Sequence, residues 1–354
     1  MNSQRDEVVD MFRGVVLVDM ILMHFSENFP ETVSFALQAV DFAIEGFIFL
    51  AGFMLGRHYL PRFRSGALEV SKRLLVRAVK IGLVQYVLVF TVSLPFFAYY
   101  HHWNVEEAAS FLIESLLFIN QVPILHILPT FIPFFLASPL ILWLMSKERD
   151  VLLAFISLAL FAFGRWHSGV GGTPGEVIFP VALWQIYFVA GCLLGKHAGG
   201  INRINPRGLL AIATAMFVAS AFVKYGGYFD EMRYAKAQFD IYPKKFPLNI
   251  YGLVYGSSLL AFVFAWSAAL IRPAGPTRMP FSALSLLGRY SLLVFFLHVY
   301  AVYFVRLLGN IGAREEVIAV SMVCVVMLLY AATVLFDRSI RSHGPTRVYR
   351  LLFG

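Results

Sequence analysis

Asp10, Arg13 and His24 lie within one apolar stretch, V-V-D-M-F-R-G-V-V-L-V-D-M-I-L-M-H (8–24), where lipid-facing residues are expected. On a helix, the eleven steps from Arg13 to His24 turn through about 1100°, within about 20° of three whole turns. The two side chains therefore share a face, about 16 Å apart along the axis. Asp10 sits one turn before Arg13, close enough to neutralise it, while Asp19 points elsewhere. Imidazole takes and returns protons near neutral pH, and guanidinium offers five fixed donors to an oxyanion or phosphate. Burying an arginine in lipid costs at least ~2.5–3.5 kcal/mol, so Arg13 is expected to face a partner or an aqueous cavity. The same spacing also fits a snorkelling arginine neutralised by Asp10 beside an interfacial histidine.

A second ionisable pair, Asp41 and Glu45, is spaced i,i+4 on the next apolar run and follows only a short outer loop. The two helices are then neighbours, and a carboxylate facing the first could pair with Arg13 or orient His24 as an acid–base group. A plain ion pair between helices fits as well. Lys72, Arg73, Arg77 and Lys80 form a basic opening to the third helix, suited to an anionic ligand and equally to the positive-inside rule. His126, Gln185 and His298 are candidates for contacting a substrate, and Arg289 for contacting an anionic donor; packing and snorkelling roles fit them too. Trp184 and the outer-loop tyrosines Tyr225, Tyr228, Tyr234 and Tyr242 are placed to line a sugar site or an aromatic belt. Cys192 and Cys324 both lie in apolar runs, too few for a metal cluster, and no metal site is expected.

The elements that must position these residues are membrane helices. With 59% hydrophobic and 14% charged residues and a mean hydropathy of +0.72, the chain is too apolar for a soluble domain. Spans are expected near 8–28, 34–56, 80–99, 125–146, 150–165, 178–197, 207–224, 249–271, 286–308 and 316–337. The fold class is thus all-α, a polytopic bundle of about ten transmembrane helices forming one domain over 1–354. The segment 108–121 is too polar to cross and is expected at the interface or re-entrant. Basic loops alternate with acidic ones, which places both termini in the cytoplasm. The +8 net charge belongs to these loops, so it argues for a lipid bilayer as partner and against nucleic acid. The N-terminus lacks the basic region and cleavage site of a signal peptide, so the first apolar run is expected to stay. Prolines 123, 129, 133 and 139 mark the fourth helix as a cavity wall, since each removes a backbone donor. No internal repeat is evident.

The runs R-D-E-V-V-D-M-F-R-G-V-V-L-V-D-M-I-L-M-H-F and A-V-D-F-A-I-E-G-F-I-F-L-A-G-F-M-L-G resemble the start of OpgC-type membrane acyltransferases, relatives of the acyltransferase-3 and heparan N-acetyltransferase group. Arg13 and His24 match the Arg-x10-His motif of acyltransferase-3 proteins, and F-I-F-L-A-G-F is similar to their F-F-x-x-S-G-F. Ala51 replaces the serine, so no role passes to that hydroxyl. H-I-L-P-T-F-I-P-F-F-L-A-S-P-L (126–140) and L-G-R-Y-S-L-L-V-F-F-L-H (287–298) also look OpgC-like. The resemblance implies acyl transfer at a bacterial inner membrane, from cytoplasmic acyl-CoA to a hydroxyl of an extracytoplasmic glycan, with succinyl and a periplasmic glucan in OpgC itself. His24 is then the expected base, with Asp10, Arg13, Asp41 and Glu45 around it. Arg73, Arg77, Lys80 and Arg289 are then expected at the donor, with no permanently bound cofactor. The rival from another class is a proton-coupled secondary transporter using the buried Asp, Glu, Arg and His groups as a relay. Oligomeric state is not legible.

Overall fold

The computed structural model describes residues 7–26, 31–117, 124–125, 127–168, 181–201, 206–225, 248–271, 278–310 and 315–344, and these contain helices and no strand. Helices α1 (Glu7–His24), α2 (Glu31–Ala39) and α3 (Ala43–Met54) open the chain, and α3 passes through a π turn, Leu55–Tyr59, into α4 (Leu60–Ser65). Helix α5 (Ala67–Leu88) likewise passes through Val89–Ser93 into α6 (Leu94–Tyr100). Then follow α7 (Val105–Leu116), α8 (Ile127–Ser146), α9 (Asp150–Ser168), α10 (Val181–Ile201), α11 (Pro206–Tyr225), α12 (Ile250–Ile271), α13 (Arg278–Arg289), α14 (Ser291–Asn310) and α15 (Glu315–His343). Pro61 and Pro95 account for the π turns, each being the second residue of the helix beyond one. A proline ring clashes with the carbonyl four residues back and supplies no N–H, and a wider turn absorbs both defects.

Among the described residues, six helical stretches are long and apolar enough to cross a membrane: Val33–Ser65, Ala67–Tyr100, Ile127–Ser146, Ile250–Ala269, Ser291–Leu308 and Val320–His343. The other expected spans correspond to α1, α9, α10 and α11, which are 18 to 21 residues long and fall outside that set. In α1 the cause is visible, since Glu7, Asp10, Arg13 and Asp19 share 18 residues. Helix α7 has 12 residues, or about 18 Å of rise, too short for a ~30 Å hydrocarbon core. Asn104 and Glu107 close its first turn with a capping box. Helix α8 runs unbroken through Pro133 and Pro139.

The second expected helix differs from the sequence reading. Helix α2 stops at Ala39 and α3 begins at Ala43, so Asp41 lies in the break and shares no helical face with Glu45. Two carboxylates take the N–H groups that an unbroken helix would direct to its own carbonyls. Asp19 accepts from Phe42 N at 3.0 Å, and Asp41 accepts from Ala43 N at 3.4 Å. Asp19, on the face set aside in the sequence, thus fixes the start of α3.

The chain gathers into two compact units, Met1–Ala43 with Arg73–Leu136 and Met279–Gly354, and Ile44–Lys72 with Ala137–Arg278. In the first, α1 packs on α14 and α14 on α15, with Phe12, Val16, Leu17, Val294, Val299 and Val302 almost wholly buried. Helix α1 also meets α13 backbone to backbone. A Cβ on Gly14 would overlap the Leu284 carbonyl, and one on Gly288 would overlap that of Asp10.

In the second unit, α10 packs on α9 and on the π turn at Leu55–Tyr59, and α11 packs on α12. The crossing of α3 and its π turn with α10 exposes a repeat that the sequence reading missed. F-L-A-G-F-M-L-G-R-H (49–58) and F-V-A-G-C-L-L-G-K-H (188–197) are identical at six of ten positions. Their glycines notch into each other: Gly52 lies on the Phe188 carbonyl as Gly191 lies on that of Phe49, and Gly56 on Cys192 as Gly195 on Phe53. The pairing advances in the same direction along both segments, which makes it a parallel Gly-x-x-x-Gly crossing with local two-fold symmetry.

Candidate active site

Arg13 lies where α1 crosses the end of α13. Its Nη1 donates to Asp10 Oδ1 at 3.1 Å and to the Gly288 carbonyl at 3.3 Å, and little of either side chain is exposed. The helical spacing expected between Asp10 and Arg13 therefore holds, and the partner of the arginine is a backbone carbonyl as well as a carboxylate. The close approach permitted by Gly14 and Gly288 brings that carbonyl within reach.

Three turns further along α1, His24 stacks on His298 of α14, with ring centroids 5.5 Å apart and planes 18° from parallel. His298 is fully buried, and its Nδ1 lies 2.5 Å from the Phe295 carbonyl. A carbonyl only accepts, so Nδ1 carries the hydrogen and Nε2 bears the lone pair. That Nε2 is buried and has no hydrogen-bond partner among the described residues. His24 is half-buried beside it. Two expected residues, one read as a base and one as a substrate contact, thus form one pair. Arg13 and His24 keep their separation of about 16 Å along α1, so the guanidinium and the imidazoles lie at different places.

The sequence model of the family described as OpgC protein matches residues 5–340. The chain belongs to the OpgC family. No curated protein and no solved structure matches it. In this OpgC-family chain, the matched segment includes α1, α13 and α14 and hence both ends of the site.

The remaining expected residues are more scattered. Glu45 is buried in the second unit, where the surface of Gly256 faces its carboxylate and the Tyr187 hydroxyl. Gln185 is also buried there and is tied to α9: Nε2 donates to the Ser157 carbonyl at 2.7 Å, and Oε1 accepts from Ser157 Oγ at 2.8 Å. It serves as a lock between α9 and α10. Arg73, Arg77 and Lys80 share a face of α5; Arg73 and Arg77 are exposed, and Arg77 stacks over the Phe135 ring at 5.1 Å. Arg289 reaches Asp337 at 3.6 Å, while its buried Nε has no partner among the described residues. Asp337, absent from the sequence reading, also accepts from Tyr290 Oη and pairs with Arg341, each at 2.8 Å. The i,i+4 spacing of Asp337 and Arg341 was the available signal. His126 and tyrosines 228, 234 and 242 lie outside the described residues, and no group of three metal-binding side chains occurs among those described.

Proposed function

We propose that this protein is a membrane O-acyltransferase of glucans or related glycans, taking an acyl group, succinyl in the first instance, from acyl-CoA. The observation that carries the reading is the His24–His298 pair, with a buried lone pair of fixed tautomer, inside a family-matched segment. About ten spans, cytoplasmic termini and placement in a bacterial inner membrane complete it. In the reaction, an acceptor hydroxyl gives its proton to an imidazole while its oxygen bonds to the thioester carbonyl carbon, and the carbonyl π pair moves onto oxygen. Collapse of that tetrahedral species breaks the carbon–sulfur bond, and the departing thiolate takes the proton from the imidazolium. No acyl-enzyme is needed. His24, at the half-buried edge of the pair, is the base, and His298 orients it or the hydroxyl from beneath. Arg13 lies too far along α1 to touch the same carbonyl, so it acts on a remote part of the donor or holds α13 in place. Arg73, Arg77, Lys80 and Arg289 remain the proposed contacts to the anionic donor.

The test is transfer of radiolabelled succinyl from succinyl-CoA to a linear glucan by purified protein, with wild type and His24→Ala compared in proteoliposomes. Thioester consumption with labelled glucan, lost in His24→Ala at unchanged melting temperature, is the expected result. Solute uptake without thioester consumption would identify a proton-coupled transporter instead. The ten-residue repeat falls far short of the two similar halves on which such transporters are commonly built.

A further inference from the structure

The duplicated segment of the second unit ends in two equivalent basic pairs, Arg57-His58 and Lys196-His197. Because the glycine crossing is parallel and nearly two-fold, it brings both pairs to the same end. A cavity of about 420 Å³ opens there, and its lining includes Arg57, Arg64, Glu148, Lys196 and His197. The π turn imposed by Pro61 spans Leu55–Tyr59 and includes Arg57, and such widened turns recur at functional sites.

The two arms are not treated alike. Lys196 is saturated: Nζ donates to Glu148 at 2.6 Å, to Asp150 at 2.7 Å and to the Met145 carbonyl at 3.1 Å. Glu148 also holds Arg64 at 2.5 Å, and Asp150 lies 3.1 Å from His197. Arg57, the symmetric counterpart of Lys196, has no hydrogen-bond or ion-pair partner among the described residues. Three permanent cations, Arg57, Arg64 and Lys196, face two carboxylates, which leaves one positive charge, or two when His197 is protonated. The carboxylates are tied to their own cations, so the vacant donors are those of Arg57.

We propose that this cavity binds a phosphate ester, with Arg57 as its main contact. A planar guanidinium binds phosphate through paired hydrogen bonds, and a cavity of this size takes the phosphate and the first atoms of what bears it. The phosphate comes either from an anionic phospholipid headgroup or from a soluble nucleotide tail, and the proposal stands whether or not the chain transfers acyl groups.

The full chain is purified in detergent and tested with two probes: phosphatidylglycerol against phosphatidylcholine by native mass spectrometry, and desulfo-CoA by calorimetry. Arg57→Gln is compared with Arg57→Lys and with Arg338→Gln, which removes the same charge from an exposed position on α15. The expected result is that Arg57→Gln weakens one of the probes by about tenfold or more at unchanged melting temperature, while Arg57→Lys loses less and Arg338→Gln nothing. Loss for phosphatidylglycerol alone assigns the headgroup, and loss for desulfo-CoA alone assigns the nucleotide tail. Binding of neither probe, equal binding by wild type and Arg57→Gln, or equal losses in Arg57→Gln and Arg338→Gln overturns the proposal.

Discussion

The tautomer of His298 is set by the fold, through the Phe295 carbonyl. Asparagine at 298 keeps a donor for that carbonyl and removes the Nε2 lone pair. His298→Asn is therefore expected to lower kcat by up to roughly 10²–10⁴-fold, the whole contribution of the base that it positions, and to alter the pH–rate profile. A merely structural histidine would instead change the melting temperature and leave the profile of the remaining activity unmoved. The placing of His24 on one helix with Arg13 was legible in the sequence, because their spacing obeys one helix's geometry. Its pairing with His298 was not, since the partners are 274 positions apart and only tertiary packing sets their meeting. Asp19 escaped for the same reason: its partner is a backbone N–H, which has no signature in residue type.

At the level of helices, two glycine contacts hold α1 against α13 with no room for a side chain. Gly14→Val is expected to destabilise the protein by about 1–3 kcal/mol, the usual cost of overpacking, and to weaken the Arg13 contact to Gly288. Thermal unfolding in detergent checks the first, and recovery in a Gly14→Ala variant should be only partial, because even a methyl group overlaps the Leu284 carbonyl. Apolar length placed most helices correctly in the sequence. It misjudged the second, because one carboxylate at the break, Asp41, contributes little to a hydropathy average and the other, Asp19, comes from the preceding helix. The repeat was hidden for a related reason: ten residues, four of them changed, acquire meaning only once their glycines are seen to interlock.

On the scale of the whole molecule, the ion-pair chain Arg64–Glu148–Lys196–Asp150 ties α4, the turn after α8 and α10. The hydrogen bond from Lys196 holds the Glu148 carboxyl below its ordinary value of 4.5. A depressed carboxyl adds stability above its unfolded value, and that stability is lost as pH falls through the folded one. The melting temperature is thus expected to drop on acidification below about 4.5, and to drop less in Glu148→Gln, which has no such charge to lose. Fluorescence-detected melting between neutral and acidic pH reads the difference. The bond from Phe42 to Asp19 carries a further consequence, for biogenesis. Asp10 and Arg13 neutralise one another as soon as α1 forms, whereas the N–H that reaches Asp19 belongs to Phe42, 23 residues beyond it in the chain. Until Phe42 is in place Asp19 lacks that bond, and a carboxylate in lipid opposes insertion of α1 alone. The first helix is therefore expected to enter the bilayer together with the segment that follows it, as a hairpin, and the order of synthesis becomes part of how the His24 end of α1 is put in place.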